Sequence, residues 1–392
     1  GSFFITVYMG WDRLIGQDRV KRVLSSAVAS KRVAHAWLFH GPPGSGKRAA
    51  ALAFAQALQC KERFDGTVCN SCSACHKVPR MLHPDVHVLI PHANDAKPQD
   101  LGARVALLAE SPYAVIDYSR RPDLNGSGGT GNKQVAYLLG QVQEELQAPM
   151  KYRPVEGSWR ISIVTSVHSM RTAGANAFLK LLEEPGRDTV FILLAERLDQ
   201  VLPTILSRCQ QVRFSPLEVD EMANGLVQEG LAPADMAAVL ARMADGSYEQ
   251  ARELALSTEL RSSRDLVLDF LRQAFRASGD DVMSRVDELA SHGRESVKFH
   301  LHVLLGLIRD LLLYAEVGSH APIVNLDWQD VLSKFSRGLP HARLDVMAEA
   351  VEYAMYMVDR NVNQRIALAH LAIVLGRSMQ GDTQVKPVPR LE

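Results

Sequence analysis

Gly41-Pro42-Pro43-Gly44-Ser45-Gly46-Lys47-Arg48 decides how the rest of the chain is read. The form G-x-x-x-x-G-K-[ST] is a phosphate-binding loop: its glycines let backbone N–H groups close around phosphate oxygens, its Lys adds a point charge, and its final hydroxyl ligates Mg²⁺. Gly41, Gly44, Ser45, Gly46 and Lys47 supply the first two parts, and Arg48 stands where the hydroxyl belongs. A guanidinium has no acceptor atom and keeps its charge, so Arg48 cannot hold a metal. Upstream, Ala36-Trp37-Leu38-Phe39-His40 reads as a short buried strand; downstream, the Ala-rich run 49–58 is a strong helix former. Strand, loop and helix therefore follow in the order a phosphate site needs, with a helix N-terminus favouring an anion. A Gly/Pro turn joining a strand to a helix is the plainer reading. The expectation is a degenerate site in which ATP or ADP binding is left open and Mg²⁺-assisted hydrolysis is absent.

A hydrolytic loop also needs an acidic residue at the end of a neighbouring strand, to hold the metal shell and orient water. The apolar run 159–168 leads into a helix and closes on Thr165-Ser166-Val167-His168, without Asp or Glu. Ser166 and Val167 take the positions of the carboxylates, and His168 reads as a turn residue.

Cys60, Cys69, Cys72 and Cys75 give C-x8-C-x2-C-x2-C, four of the five cysteines in the chain. Thiolates two residues apart on tight turns match tetrahedral Zn²⁺, and four sulfur ligands close a structural site. Paired disulfides and coincidental free thiols compete with that reading; the absence of a secretion signal favours a reducing compartment and the metal. His76 could replace one ligand. Cys209 reads as a small buried side chain.

Length and charge bound the rest. At 392 residues the chain exceeds the roughly 250–300 at which single cores stop growing, so two or three domains are expected. Its 44 basic and 44 acidic residues cancel, which disfavours a binder built on one broad basic face. No apolar run reaches the roughly 18 residues of a membrane span. Residues 1–8 are short and lack a basic start; they read as an appended or upstream-translated segment, with Met9 as the start. Alternating strand-like and helical runs up to 214 predict a parallel α/β sheet covered on both faces. Residues 92–132 turn polar and end in Gly126-Ser127-Gly128-Gly129-Thr130-Gly131, which predicts a flexible surface excursion with a short helix over 103–110. After 215 the strands stop. Short amphipathic helices are expected over 220–230, 232–244 and 249–256, then longer ones from about 265, and a disordered tail over 381–392. The segment 296–314 is apolar on several faces, a composition that fits a bundle core or an interface equally.

The strings Leu14-Ile15-Gly16-Gln17, residues 35–41, His83-Pro84-Asp85-Val86, Ala175-Asn176-Ala177-Phe178-Leu179-Lys180-Leu181-Leu182-Glu183-Glu184-Pro185 and Leu202-Pro203-Thr204-Ile205-Leu206-Ser207-Arg208-Cys209 resemble the clamp-loader branch of the AAA+ superfamily. Within that branch the chain is most similar to the delta-prime subunits of bacterial DNA polymerase III. The similarity runs from about residue 9 to 214 and continues more weakly beyond.

The resemblance implies a P-loop-type AAA+ domain over 9–214 with an inserted zinc module at 60–75 and an insertion at about 92–132. A helical lid over 215–264 and an all-α collar domain over 265–380 follow. It implies that Arg208, in Ser207-Arg208-Cys209, is an arginine finger directed at ATP held by a neighbouring subunit, a placement that neutralises charge developing on the transferred phosphoryl group. Two further positions depart from the ATPase relatives: Ala195 replaces a polar sensor after strand 190–194, and Glu249 replaces the Arg of a Gly-Ser-x-Arg lid stretch. The implied role is a non-hydrolysing subunit in a hetero-oligomeric ring with gamma/tau and delta subunits, acting on the sliding clamp at primer-template DNA in the bacterial cytoplasm, away from membranes. An ATP-hydrolysing gamma/tau-type subunit and a nucleotide-sensing module are the alternatives.

Overall fold

The structure, a computed structural model, describes residues 10–93, 96–118, 135–149, 152–257, 259–276, 279–291, 294–360 and 362–385. The starting segment and the Gly-rich stretch 126–131 lie outside them. Two compact units form: the described residues up to Glu229 with Ala244–Glu253, and Gly230–Met243 with those from Leu254 onward.

The first unit is built on five strands, β1 (Ala36–His40), β2 (Val86–Leu89), β3 (Arg160–Val164), β4 (Thr189–Ala195) and β5 (Gln210–Arg213). All pair in parallel, in the order β2-β3-β4-β1-β5. Every residue of β3 and β4 is buried, the pattern of strands covered on both faces. This bears out the α/β reading. Around the sheet lie α1 (Asp18–Ala29), α2 (Lys47–Gln59), α3 (Ser73–Lys77), α4 (Pro98–Glu110), α5 (Leu139–Gln141) with a π-helical turn after it, α6 (Thr172–Glu183), α7 (Pro203–Leu206) and α8 (Val219–Gln228). Helix α2 is buried at every position except Arg48, which explains its run of alanines: a helix enclosed on all sides needs small side chains. Phe178 of α6 meets Phe191 of β4 edge to face, centroids 5.4 Å apart, in the core of one sheet face. Across the other face, Trp37 of β1 meets Phe54 of α2 at 5.2 Å.

The described part of the segment 92–132, residues 92–93 and 96–118, departs from the expected surface excursion; the rest of it lies outside the described residues. His92 bridges Ala136, α4 begins five residues earlier than the helix expected at 103, and Tyr113 and Ile116 beyond it are buried. Arg104 of α4 is fully buried: its guanidinium lies 3.7 Å from the Tyr118 ring centroid and donates to Asp100 and to the Ile116 carbonyl oxygen. A charged side chain enters a core only with partners of this kind.

The second unit holds α9 (Ala234–Met243), the end of α10 (Tyr248–Leu256), α11 (Glu259–Arg276), α12 (Gly279–Ser291), α13 (Arg294–Val317), α14 (Gln329–Gly338), α15 (Leu344–Asp359) and α16 (Gln364–Met379). The three short helices expected after 215 form, but they divide differently: α8 and most of α10 belong with the sheet and α9 with the bundle. Leu307, Ile308, Val351, Leu371 and Leu375 are fully buried. Gly376 of α16 lets two backbones meet; a Cβ there would lie 2.4 Å from the Ala274 carbonyl oxygen of α11. Buried Asp310 accepts hydrogen bonds from the Val324 and Asn325 amides at 2.8 Å each. Of the expected tail, residues 386–392 lie outside the described ones, and Val385 before them is buried with its carbonyl bonded to Arg343 at 2.6 Å. Among the described residues no helix is long and apolar enough to cross a membrane.

Candidate functional site

The C-terminal ends of parallel strands are where an open α/β sheet binds ligands. Here β1 runs straight into the loop 41–48. Gly41 donates to the Ala195 carbonyl oxygen at 3.3 Å, tying the loop to the end of β4. Gly44 (φ +69°) and Gly46 (φ +92°) occupy the left-handed region that their lack of a Cβ permits. At Gly44 the requirement is also steric: a Cβ would overlap Ser247 Oγ, and the Gly44 carbonyl accepts from the Tyr248 amide at 3.1 Å. Gln17 braces the loop from beneath, its Nε2 donating to the Ser45 and Ser215 carbonyls at 3.0 and 2.6 Å.

The polar groups of the loop turn inward. Ser45 Oγ donates to the Pro42 carbonyl at 2.7 Å, and Lys47 Nζ donates to the Gly41 and Pro42 carbonyls at 2.7 and 2.6 Å. Burial lowers the Lys47 pKa from 10.5 to about 8, against the opposing pull of Glu196. Arg48 reaches across the first turn of α2. Its Nη1 bonds the Ala114 carbonyl, and its Nη2 bonds Asp117 at 3.1 Å and Glu249 at 3.4 Å. The two sequence departures at 48 and 249 are therefore one ion pair, closed by a third residue from the polar segment. These groups line a cavity open to solvent together with Thr165, Ser166, Ala195 and Glu196. Among its lining residues two cations, Lys47 and Arg48, face three carboxylates, Asp117, Glu196 and Glu249. A phosphate entering here would meet an Arg48 already paired with two carboxylates and a Lys47 already bonded to two carbonyl oxygens.

Asp117, Glu196 and Tyr113 are lining residues that sequence reasoning did not single out. Glu196 was within reach of the rule that asks for an acid at a strand end, since it follows β4 directly. Asp117 carried no signal, because its segment reads as an excursion. Ser166 (φ +45°) lines the cavity, whereas His168 lies in a 3₁₀ turn over Val167–Ser169.

Arg208 is absent from that cavity's lining. It follows α7 at the entrance to β5, where its Nη2 donates to Glu183 Oε1 at 2.6 Å and its Nη1 to the Thr204 carbonyl at 3.0 Å. The neighbouring Cys209 is partly buried, and burial pushes its thiol up to about 12.

The thiols of Cys60, Cys69, Cys72 and Cys75 all lie within 4.8 Å of one another, with Cys69 and Cys75 at 3.8 Å. A tetrahedron of Zn–S bonds of about 2.3 Å has edges of about 3.8 Å, so the residues present fit that metal. Hydrogen bonds from Ser71 hold the Cys69 thiol down at about 5, while burial pushes Cys60 and Cys75 up. Backbone amides of Cys69 and Cys72 donate to the Cys60 and Cys69 sulfurs at 3.3 and 3.4 Å. The cluster adjoins the far end of α2, where Gln56 Nε2 donates to the Cys75 carbonyl at 3.0 Å. His76 is not among the clustered ligands. Nearby, buried Asp85 of the His83-Pro84-Asp85-Val86 string accepts from the amides of 155, 156 and 157, fixing the approach to β3.

A family model described as DNA polymerase III, delta subunit, matches residues 16–218, and one for the C terminal part of the delta subunit matches 263–375. DNA polymerase III subunit delta' of Bacillus subtilis (strain 168) is 26% identical over 361 residues, covering 92% of this chain and 96% of its own length. DNA polymerase III subunit tau of the same organism is 23% identical over 330 residues, and the match spans 78% of this chain but half of that relative. A crystal structure of a DNA polymerase III gamma subunit-related protein from Thermotoga maritima covers 92% of this chain and 99% of its own at 15% identity, with a TM-score of 0.41, too slight a likeness to carry an argument. With the first family model spanning more than half of the 392 residues and the second most of the helical unit, the chain belongs to the DNA polymerase III delta subunit family.

Proposed function

We propose that the chain is the non-hydrolysing, delta-prime-type subunit of the DNA polymerase III clamp loader in the bacterial cytoplasm. It joins gamma/tau and delta subunits in a hetero-oligomer and presents Arg208 to ATP held by a neighbour while the sliding clamp is loaded at primer-template DNA. The observation that carries this reading is the engagement of Arg48, at the metal-ligand position of the loop, by Asp117 and Glu249. A site that holds Mg²⁺ offers an oxygen there; this one offers a cation with its own counterions. Arg208 supports the second half of the reading, because it lies outside its own pocket and is partly exposed.

The thiols of Cys60, Cys69, Cys72 and Cys75 would hold Zn²⁺ as a closed site with no open position, so the metal supplies architecture and no chemistry to the substrate. The coverage pattern favours this reading over a gamma/tau-type ATPase: the delta' relative is matched along nearly its whole length and the tau relative along half. The test is ATP turnover. The isolated chain with Mg²⁺ hydrolyses none. Reconstituted with ATP-hydrolysing partners, it supports turnover that Arg208→Ala depresses while assembly persists. Hydrolysis by the isolated chain that Lys47→Ala abolishes would overturn the proposal.

A further inference from the structure

Arg208 is held from one side. Nη1 donates to the Thr204 carbonyl at 3.0 Å and to Ser207 Oγ at 3.3 Å, and Nη2 donates to Glu183 Oε1 at 2.6 Å. These bonds engage three of the five guanidinium N–H donors, and Nε is not among the donors used within the described residues. The supports differ in kind. Thr204 and Ser207 belong to α7 and its C-terminal cap, a single turn. Glu183 is the last residue of α6, a twelve-residue helix anchored in the sheet core by Phe178, Leu181 and Leu182. The carboxylate is thus mounted on the rigid element and the guanidinium on the short one.

An exposed arginine samples many rotamers, and a cation that must meet a phosphoryl group loses that freedom on arrival. A carboxylate that fixes one end of the guanidinium beforehand removes part of that loss and leaves Nε unengaged among the described residues. We propose that Glu183 is a positioning residue for Arg208: it orients the guanidinium toward a triphosphate held by a neighbouring chain without touching that triphosphate itself. The inference rests on the reading of Arg208 given above. Glu183 takes one Nη donor and leaves Nε unused within the described residues, so it competes little with an incoming phosphate.

The test has two arms, both on the full chain. In the isolated protein, ¹⁵N relaxation of the Arg208 Nε–H group should report a lower order parameter in Glu183→Ala, with Glu183→Gln, which keeps an acceptor, in between. In the reconstituted assembly, Glu183→Ala should reduce partner kcat about two- to fivefold, the range for an exposed ion pair, with KM for ATP unchanged. In an Arg208→Ala background it should do nothing more. Unchanged Arg208 order, an equal loss in the Arg208→Ala background, or a rise in kcat would each overturn the inference. Should Arg208→Ala itself leave turnover intact, the finger reading falls, and the relaxation arm still decides whether Glu183 fixes the side chain.

Discussion

Arg48, the second residue of α2, has 13% of its side chain exposed, between the carboxylates of Asp117 and Glu249; Arg208 follows α7 with 35% exposed and Glu183 as its ion-pair partner. Both arginines stand beside a strand end of the same sheet. What separates them is enclosure. Around Arg48, two acids and the Ala114 carbonyl engage both Nη atoms, so its charge is neutralised within the chain although Nε stays unbonded among the described residues. Around Arg208, one exposed carboxylate leaves donors available to an outside anion. The lesson is that a phosphate-binding pattern in sequence says where cations are placed, whereas the carboxylates around them decide whether they can act.

The most drastic way to break this comparison is to remove the thiol cluster, which adjoins the far end of the helix that carries Arg48. Cys75→Ser, or exhaustive chelation, should cost the protein its zinc and several kcal/mol of stability, given the roughly 10–16 kcal/mol of apparent binding free energy seen in small zinc modules. Metal analysis and thermal unfolding check this; protein purified without chelator and containing no zinc would contradict it. The Arg208 side should be the less affected, since neither α6 nor α7 contributes a thiol.

Next in size is Arg208→Ala. Known arginine fingers contribute about 10³- to 10⁵-fold in rate, so under the proposed finger role turnover at the neighbouring site should nearly vanish in the assembled complex, with unfolding of the isolated chain unchanged.

Arg48→Thr sharpens the contrast from the other side. It leaves Asp117 and Glu249 facing each other in a buried pocket, and breaking a buried pair costs about 3–5 kcal/mol. Adding Glu249→Arg restores a cation beside Asp117 and should recover most of that loss in denaturant melts. Calorimetry with Mg²⁺·ATP should then show at least about tenfold tighter binding than wild type, a difference of about 1.4 kcal/mol.

The smallest effect concerns Lys47. Its folded pKa of about 8 lies below the ordinary 10.5, so between these values the unfolded chain holds more protons than the folded one and stability rises with pH. Below about pH 8 both states carry the full charge and this contribution is flat. Lys47→Met should remove the rise between about pH 8 and 10.5 in denaturant melts, and an identical slope in the variant would contradict the assignment.

The contrast also shows which parts of the site local sequence could reveal. The loop, the strands β1, β3 and β4 and the four thiols are legible because each depends on neighbours a few residues away: a glycine pattern, an apolar run, a ligand spacing. The partners of Arg48 are not. Glu249 lies 201 residues on and Asp117 lies 69 on, and nothing in either neighbourhood reveals the pairing, although Glu249 stands out as a departure from the lid pattern. Helix α4 was half hidden for a related reason: its buried positions include Arg104, whose cost of burial is offset by Tyr118 and Asp100, so the apolar periodicity that marks a helix face is broken where it matters. The division of α8, α9 and α10 between two units was equally invisible, because amphipathic helices declare that they pack and not against what.

One measurement bears most directly on the claim that this chain contributes a cation to another chain's nucleotide while its own pocket stays silent. Single-turnover ATP hydrolysis would be recorded for the reconstituted assembly carrying either Arg208→Ala or Lys47→Ala in this subunit alone. The account predicts a severe loss with Arg208→Ala and a rate indistinguishable from wild type with Lys47→Ala. The reverse pattern would contradict it.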